Sequence, residues 1–365
     1  MIEIVMLSVL ALCFITQMIF YWVVLAKPYY YMKAVKKGRI LFFSGFLPVS
    51  VIIYAQNRFC DLHKFLLPLL EQDYPQFEVI VVNDGTVEEN TAALIRLQEQ
   101  YPNLYCTHIP EETKYVSRKQ LGFTLGVKAA KYNCLLFAEA SGSIRSKNWI
   151  MLMARHFGKE KNMVLGICAK TGETHFFKKF MAFDYFYLNL HLLSMALFNR
   201  HYAGNSRNLI CSKTYFDEQN KFFRQMLVDR HVDTAVELSA ESVIMVDLND
   251  SEWKQEKYKA GTVALWNVEF LSGLFFILAV TASLVWGFLH PYTLPYMAGA
   301  AVFCYLARLF SQLFVVNKTA SFLKLEKFFI TIPLFDLLQM MVNIYFFICC
   351  LVLKKEKYIF KYDKR

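Results

Sequence analysis

The stretch that decides the fold is VSVIIYAQNRFCDLHKFLLPLLEQDYPQFEVIVVND, residues 49–84 of a chain of 365 residues. Two runs within it, residues 49–55 and 77–84, are continuous, apolar and rich in β-branched side chains. Such runs are typical of strands that are covered on both faces. A segment with helical periodicity, residues 61–71, separates them. The stretch therefore predicts two parallel strands joined by a right-handed helical crossover.

The same alternation continues after residue 84. Residues 103–109 and 133–140 predict a third and a fourth strand, and residues 88–100 and 118–131 have helical patterns. The order βαβαβαβ predicts an α/β, Rossmann-like domain with a parallel-rich sheet. In such a sheet, ligands bind in the crevice at the carboxyl ends of the strands.

Apolar segments flank this domain on both sides. Residues 4–26 contain no charged side chain and are long enough to cross about 30 Å of hydrocarbon. Further apolar runs cover residues 264–289, 293–316 and 328–353. We therefore expect an N-terminal transmembrane anchor with a basic flank in residues 1–40, the α/β domain in residues 41–262, and a membrane region of two to three helices with a basic tail in residues 263–365.

Charge predicts the orientation in the membrane. The segment that follows the first apolar run is basic and has no acidic residue, with Lys27, Lys33, Lys36, Lys37 and Arg39. The positive-inside rule then places the α/β domain in the cytoplasm and the chain in an inner membrane as a multi-pass protein. The net charge of +10 lies mainly in such flanks. This distribution suits anionic lipid head groups and does not indicate nucleic acid as a partner.

The last apolar run has two possible topologies. It contains Pro333, Asp336 and Gln339, and a full crossing would place the basic tail outside. An interfacial or re-entrant segment would keep the tail in the cytoplasm. In the preceding run, Arg308 either lies on a substrate path or extends its guanidinium to the interface.

Polar residues follow the predicted strands, at residues 54–58, 83–86 and 139–143. The sequence NDGT after the second strand has two interpretations. Asp84 and Gly85 favour a turn for backbone reasons. A carboxylate in this position can also accept hydrogen bonds from a base or a ribose.

The chain resembles family 2 glycosyltransferases of the A-type fold in three stretches. The first comprises LPVSVIIYAQNR and LHKFLLPLLEQDYPQFEVIVVNDGT, and is similar to the opening of these enzymes. The second is YVSRKQLGFTLGVKAAKYNCLLFAEASGSIRSKNWIMLMARHF, and the third is GNSRNLICSKTYFDEQNKF, which is similar to their acceptor region. With the anchor before it and the apolar hairpin after it, the resemblance covers nearly the whole chain and implies a nucleotide-diphospho-sugar transferase domain with transmembrane helices at both ends.

The resemblance implies transfer of a sugar, with inversion, from a nucleotide-diphosphate sugar. Asp84 would contact the base of the donor, and Tyr54, Ala55 and Asn57 would line the same pocket. Lys119 occupies the family's lysine position and would approach the diphosphate, although a solvated helix lysine is an alternative. Because membrane helices bring the site to the bilayer, we expect a lipid-linked or envelope glycan acceptor.

Several positions depart from the family pattern. Glu139, Ala140 and Ser141 replace the metal motif DxD, so Glu139 and Ser141 are the possible ligands of Mg²⁺ or Mn²⁺, with weakened affinity. The acidic cluster that supplies the general base is reduced to Asp229 and Asp233, each of which is a candidate base, a helix cap or a surface charge.

The QxxRW motif of processive enzymes is also degenerate. Gln255 remains, whereas Tyr258 and Lys259 stand in the Arg and Trp positions. This argues against a processive polysaccharide synthase. The losses leave two hypotheses open: an active glycosyltransferase, and a catalytically inactive pseudo-glycosyltransferase that acts as a membrane scaffold or as a partner subunit of an active transferase.

Overall fold

The computed structural model describes residues 2–43, 45–56, 59–84, 88–109, 118–158, 163–170, 175–200, 206–218, 233–247, 249–261 and 264–352. These residues form two compact units. The α/β unit comprises residues 32–250, and the membrane unit comprises residues 2–31 and 251–352. The division falls after residues 31 and 250, whereas the sequence placed its boundaries after residues 40 and 262.

The helices and strands are numbered along the chain. The first part contains α1 (Ile2–Ile19), a π-helical segment (Phe20–Leu25), α2 (Lys27–Lys36), β1 (Val49–Gln56), α3 (Phe59–Leu70), β2 (Phe77–Asp84), α4 (Glu88–Gln100), β3 (Leu104–His108), α5 (Arg118–Ala129) and β4 (Cys134–Glu139). The predicted order βαβαβαβ is therefore confirmed.

The second part completes the α/β unit and adds the C-terminal helices. It contains β5 (Gly142–Ile144), α6 (Trp149–Ala154), β6 (Met163–Gly166), β7 (Cys168–Lys170), α7 (Phe176–Ala196), β8 (Leu209–Ser212), α8 (Lys213–Glu218), β9 (Thr234–Glu237), β10 (Ile244–Val246), α9 (Asp250–Gly261), α10 (Ala264–Leu289), α11 (Leu294–Phe322) and α12 (Ile332–Val352). The sequence did not predict β5 to β10 or α6 to α9. These strands have only three or four residues, too few for their apolar pattern to stand out.

A seven-stranded sheet forms the centre of the α/β unit, in the order β3-β2-β1-β4-β8-β6-β9. Strand β8 is antiparallel to both of its neighbours, and the other neighbouring pairs are parallel. The parallel-rich sheet of the prediction is thus confirmed. A smaller sheet has the order β5-β10-β7.

The register brings three strand ends together. Gln56 lies opposite Asp84 on one side of β1, and Tyr54 lies opposite Glu139 on the other. Because β1, β2 and β4 run in the same direction, their carboxyl ends meet at one edge of the sheet. The crevice that parallel sheets use for ligands is at this edge.

The burial of β1 and β2 explains why both are interior strands of the sheet. Val51 and Ile53 point to one face of β1 and Ile52 to the other, and all three are fully buried. Transfer of such side chains from water stabilises the fold by about 1.5–3 kcal/mol each. The strands are therefore covered on both faces, as their continuous apolar runs predicted.

The membrane unit contains helices that are long and apolar enough to cross a membrane. Within the described residues there are four such candidate spans: Ile2–Lys36, Glu269–Leu289, Leu294–Phe322 and Ile332–Cys349. Helices α10 and α11 follow one another in the chain and are joined by a short turn at residues 290–293. One predicted span near the N-terminus and the predicted hairpin are therefore present as apolar helices.

Arg308 is buried inside this unit. Its residue surface is 3% exposed, and its two terminal nitrogens donate to the carboxylate oxygens of Asp336 at 2.6 and 3.0 Å. The Nε atom of Arg308 donates to Gln17 at 3.2 Å. The interpretation that this guanidinium extends to the interface is wrong here, because a charge in an apolar unit is held by a partner of opposite sign.

Candidate functional site

The candidate site lies at the carboxyl ends of β2, β1 and β4. The two strands that flank β1 each end in a buried carboxylate, Asp84 on β2 and Glu139 on β4. Tyr54 lies on β1 between them. Two strand spacings, roughly 10 Å, therefore separate the backbones that carry these acidic groups.

Asp84 is held by two donors. The Tyr54 hydroxyl donates to Oδ2 at 2.5 Å, and Arg118 donates to Oδ1 through Nε at 2.6 Å, with its Nη2 at 2.5 Å from the same oxygen. The side chain of Asp84 is 3% exposed, whereas that of Arg118 is 29% exposed. The carboxylate thus fixes both the phenol and the guanidinium at the mouth of the crevice.

Glu139 is surrounded by cations and a hydroxyl. Its Oε1 accepts hydrogen bonds from Lys119 and from the Ser206 hydroxyl, the latter at 2.6 Å. Its Oε2 lies 3.0 Å from Nε of Arg207. Burial by itself raises the pKa of Glu139, but the charges of Arg207 and Lys119 and the hydrogen bonds from Lys119 and Ser206 outweigh it. The pKa of Glu139 therefore lies well below its usual range, and the group is an anion at neutral pH.

Helix α5 brings cations to both carboxylates. Arg118 and Lys119 are its first two residues, and they contact Asp84 and Glu139 respectively. The helix lies close to β1 because Gly122 faces the Tyr54 ring, where a Cβ atom would be only 2.6 Å from Cδ2. The N-terminus of a helix also carries a partial positive charge. The crevice is therefore prepared for an anion.

Glu139 and Ser141 are the predicted metal ligands. Oε1 of Glu139 accepts hydrogen bonds from Lys119 and Ser206, and Oε2 lies 3.0 Å from the positively charged Arg207 guanidinium, so positive groups already occupy the surroundings where a metal cation would bind. The Ser141 hydroxyl is buried and has no hydrogen-bond partner among the described residues, but a neutral hydroxyl is a weak ligand. No cluster of three His, Cys, Asp or Glu side chains that suits a metal occurs in the described part of the chain. This arrangement does not fit a divalent cation.

A comparison with protein families identifies the domain that contains this crevice. Residues 50–228 match the model of the glycosyl transferase family 2. The chain contains a family 2 glycosyl transferase domain. The match begins in β1 and includes Asp84 and Glu139 as well as Arg118 and Lys119 at the start of α5. The predicted family and its A-type α/β fold are therefore confirmed, and the family is one of nucleotide-sugar glycosyltransferases.

Solved structures of low similarity were also found. One is the mannosyltransferase PcManGT from Pyrobaculum calidifontis in complex with GDP-Man and Mn²⁺, at 11% identity and a TM-score of 0.43, covering 97% of this chain and 96% of that one. Another is TarS 1-349 from S. aureus, at 13% identity and a TM-score of 0.39, covering 82% and 89%. At these scores they add nothing to the family assignment. No curated protein matches the sequence significantly.

The glycosyl transferase domain brings five of the predicted site residues to one edge of its sheet. Tyr54, Ala55, Asp84, Lys119 and Glu139 lie at or next to the carboxyl ends of β1, β2 and β4. Ser141 follows two residues after Glu139. Asn57 and Asp229 lie outside the described residues, so their assignments stay predictions.

Asp233 is not brought to this edge. It immediately precedes β9, which runs parallel to β6, and both strands run in the direction of β4. Asp233 is therefore at the amino end of its strand, on the edge of the sheet opposite to Asp84 and Glu139. Its side chain is exposed. In this position it is three strands and a full strand length away from the crevice.

Sequence reasoning missed three residues of the candidate site: Arg118, Ser206 and Arg207. Arg118 directly precedes the lysine that was identified, so its position at the start of α5 was a usable signal. Ser206 and Arg207 precede β8, which is antiparallel to β4. Because β8 runs opposite to β4, the residues before its start, and not those after its end, lie at this edge. The sequence did not predict β8, so these residues could not be placed.

A further buried carboxylate of the α/β unit, Glu237, has a structural role. Glu237 ends β9, and its Oε2 accepts hydrogen bonds from Arg155 at 2.8 Å and lies 2.7 Å from Nε2 of His156. Burial raises the pKa of Glu237, but the hydrogen bond and charge of His156 and the charge of Arg155 lower it overall. Because Oε1 accepts the Ser239 amide at 2.6 Å, both carboxylate oxygens are used within the fold.

Proposed function

We propose that this protein is an inverting glycosyltransferase that moves a sugar from a nucleotide-diphosphate donor to a lipid-linked or envelope glycan acceptor. The reaction would take place on the cytoplasmic face of an inner membrane. The observation that carries the proposal is the prepared carboxylate at the end of β2, Asp84, within a family 2 domain. Such domains use nucleotide sugars, and this carboxylate is where the base of the donor would bind.

Asp84 has the hydrogen-bonding capacity for this role. A carboxylate offers about four lone-pair positions. Among the described residues, Arg118 uses two of them at Oδ1 and Tyr54 uses one at Oδ2. The remaining position at Oδ2 suits a ring N–H of uracil or guanine, which is an obligatory donor once the base is buried. Tyr54 and Ala55 would line the pocket beside it, together with Asn57.

The membrane unit supports an acceptor that is held at the bilayer. Four apolar helices accompany one glycosyl transferase domain in the same chain. A soluble acceptor would not need this arrangement, whereas a lipid-linked acceptor diffuses in the bilayer and meets the domain there. The basic flank with Lys33, Lys36 and Lys37 supports a cytoplasmic domain through the positive-inside rule.

The general base in this proposal is Asp229. A base must come within hydrogen-bond reach of the acceptor hydroxyl in the crevice. Asp233 lies at the opposite edge of the sheet, and Glu139 is engaged by two cations and a hydroxyl. Asp229 is the remaining candidate that the resemblance indicated, and it lies outside the described residues.

The test is titration of the detergent-solubilised full chain with UDP and GDP, using Asp84→Asn. We expect the variant to bind its nucleotide about 10- to 100-fold more weakly, because it loses a hydrogen bond to a charged acceptor worth about 1.5–3 kcal/mol. The matched control is Glu78→Gln. Glu78 is also a buried carboxylate on β2, but it accepts from Ser50 at the amino end of the sheet.

The outcome separates the two hypotheses. Weaker binding by Asp84→Asn, with Glu78→Gln unchanged, would support the glycosyltransferase. Equal binding by the wild type and Asp84→Asn would contradict the role of Asp84. Absence of nucleotide binding by the wild-type chain would favour the scaffold hypothesis, in which the domain is a partner subunit of an active transferase.

A further inference from the structure

We propose that Arg118, Lys119 and Arg207 neutralise the diphosphate of the donor in place of a divalent metal. The inference rests on the proposed function, because it concerns the same donor. In the transfer, the bond between the sugar carbon and the diphosphate oxygen breaks, and its electron pair stays on that oxygen. The acceptor oxygen forms the new bond and its proton passes to the base. The negative charge that develops on the leaving group needs a positive partner.

The position of the missing metal motif is filled by cations. A DxD motif would present carboxylate oxygens to a metal, whereas here Glu139 meets Lys119 on one oxygen and Arg207 on the other. A positively charged group therefore lies beside each oxygen and repels a second cation. The Ser206 hydroxyl adds a further donor to Oε1 at 2.6 Å. A divalent ion would have to displace these three donors before it could bind.

The balance of charge at the crevice favours an anion. Among the described residues, the ion pairs at the strand ends comprise three positive groups, Arg118, Lys119 and Arg207, and two negative groups, Asp84 and Glu139. These ion pairs together carry one net positive charge. A diphosphate is attracted to such a site, and a divalent cation is repelled from it.

The two carboxylates also hold the cations in place. Arg118 is fixed by Asp84 through two nitrogens, and Lys119 and Arg207 are fixed by Glu139. Their side chains differ in access, since Arg118 and Lys119 are 29% and 28% exposed and Arg207 is 5% exposed. The first two can meet an incoming phosphate directly. Because the cations are ordered before the ligand binds, little reorganisation is needed when charge develops.

Titration of the wild-type chain with UDP and GDP, in EDTA and in Mn²⁺, tests the inference. We expect the affinity in EDTA to equal that in Mn²⁺ within about threefold, because the cations replace the metal. Binding that is more than threefold tighter in Mn²⁺ would overturn the inference and leave the proposed function standing. If neither nucleotide binds in either condition, both the inference and the proposed function fail.

Variants of the two cations that pair with Glu139 test their part in the proposal, and Arg118 is left unchanged because it also holds Asp84. Lys119→Gln and Arg207→Gln are each expected to weaken UDP or GDP by about tenfold or more, and to change the binding of the matching nucleoside, which has no phosphate, by less than about threefold. The matched control is Lys131→Gln, because Lys131 lies just beyond the other end of α5 and pairs with Glu78. Equal losses for nucleotide and nucleoside would indicate a general defect of the pocket and would contradict a phosphate-binding role.

Discussion

Glu139 and Asp84 are both buried carboxylates at strand ends, yet their neighbours give them different chemistry. Asp84 accepts from a phenol and a guanidinium and retains one lone-pair position among the described residues. Glu139 faces an ammonium, a guanidinium and a hydroxyl. A residue's type therefore does not settle whether it can hold a metal. The donors and charges within hydrogen-bond distance decide that.

The variant Glu139→Gln distinguishes a metal ligand from a carboxylate whose charge opposes the diphosphate, since the amide oxygen of Gln can still accept the hydrogen bond from Lys119 and keep it in place. Removal of its negative charge should tighten UDP or GDP binding by about fivefold, since two unit charges roughly 4 Å apart interact by about 1 kcal/mol in water. A metal ligand would behave in the opposite way, with weaker binding in Mn²⁺. Nucleotide affinity in EDTA and in Mn²⁺ measures the difference.

The same variant must first be checked for folding. Breaking a buried ion pair can cost about 3–5 kcal/mol, because Lys119 and Arg207 lose their common partner. The thermal unfolding midpoint and the elution volume of the variant serve as this control. A folded variant that binds nucleotide more weakly than the wild type in EDTA would contradict the role of Glu139 as a charge that opposes the diphosphate.

At the scale of single residues, the sequence predicted those that follow a recognisable strand. Asp84 ends the second apolar run and Tyr54 is the penultimate residue of the first, so their place at the crevice followed from strand direction alone. Arg207 could not be placed, because the short strand β8 and its antiparallel direction leave no periodic signal. The pairing of Glu139 with Lys119 was also beyond prediction, since 20 residues separate them along the chain.

Helix α5 determines the geometry of the site through two glycines. A Cβ atom on Gly122 would lie 2.6 Å from Cδ2 of Tyr54, and one on Gly126 would lie 2.4 Å from Cγ2 of Ile52. Both distances are too short for carbon atoms in contact. The absence of side chains at these positions lets the helix approach β1, and this approach places its first two residues over the strand ends.

Alanine at these two positions should separate stability from binding. We expect Gly122→Ala and Gly126→Ala both to lower the thermal midpoint, because overpacking costs about 1–3 kcal/mol and exceeds the gain of about 1 kcal/mol in helix propensity. Only Gly122→Ala displaces Tyr54, whose hydroxyl holds Asp84 at 2.5 Å. Nucleotide affinity should therefore fall in Gly122→Ala alone.

Gly126→Ala is the matched control, since it lies one turn further along the same helix and contacts Ile52 instead. Equal nucleotide affinities in the two variants would contradict the link between α5 and the site.

The two helix patterns that the sequence predicted at residues 88–100 and 118–131 are confirmed as α4 and α5. Helix α7, which is buried on all sides from Phe180 to His191, was missed because no polar face marks its period there.

At the scale of the whole molecule, the course of α12 decides on which side of the membrane the basic tail lies. Arg308 is at the middle of α11, where its Cζ lies 5.7 Å from the ring centroid of Phe276 on α10 and where it pairs with Asp336 near the start of α12. Further along α12, a Cβ on Gly273 would be 3.3 Å from Met340, and Phe347 lies 5.8 Å from Phe270.

From the start of α12 towards its end, the residues of α10 that it contacts lie progressively closer to the first residue of α10. The same part of α12 also meets α9, which precedes α10. Asn343 accepts a hydrogen bond from Lys257 at 2.6 Å, and the rings of Phe346 and Trp253 are 6.1 Å apart. A helix that crossed the membrane fully would instead follow α10 towards its last residues. Although α12 is long and apolar enough to cross, its neighbours favour a re-entrant course.

The position of the basic tail tests this course. We expect a cysteine placed after Arg365 to be on the same side of the membrane as the α/β domain. A cysteine at Tyr292, which is 97% exposed in the turn between α10 and α11, should be on the other side. In sealed right-side-out vesicles, a membrane-impermeant maleimide should label Tyr292→Cys at once and the tail cysteine only after permeabilisation.

Leu41→Cys is the reference for the domain side, since Leu41 is 94% exposed, and the unsubstituted chain measures labelling of the nine native cysteines. Arg308 and Asp336 hold the start of α12 deep in the membrane unit. If α12 runs from there back to the side on which α11 ends, the tail lies on that side and the chain does not cross the membrane again. If the tail cysteine is labelled together with Tyr292→Cys before permeabilisation, α12 crosses the membrane fully. The basic tail would then lie outside against the positive-inside rule, and the Arg308–Asp336 pair would fix two complete spans to each other.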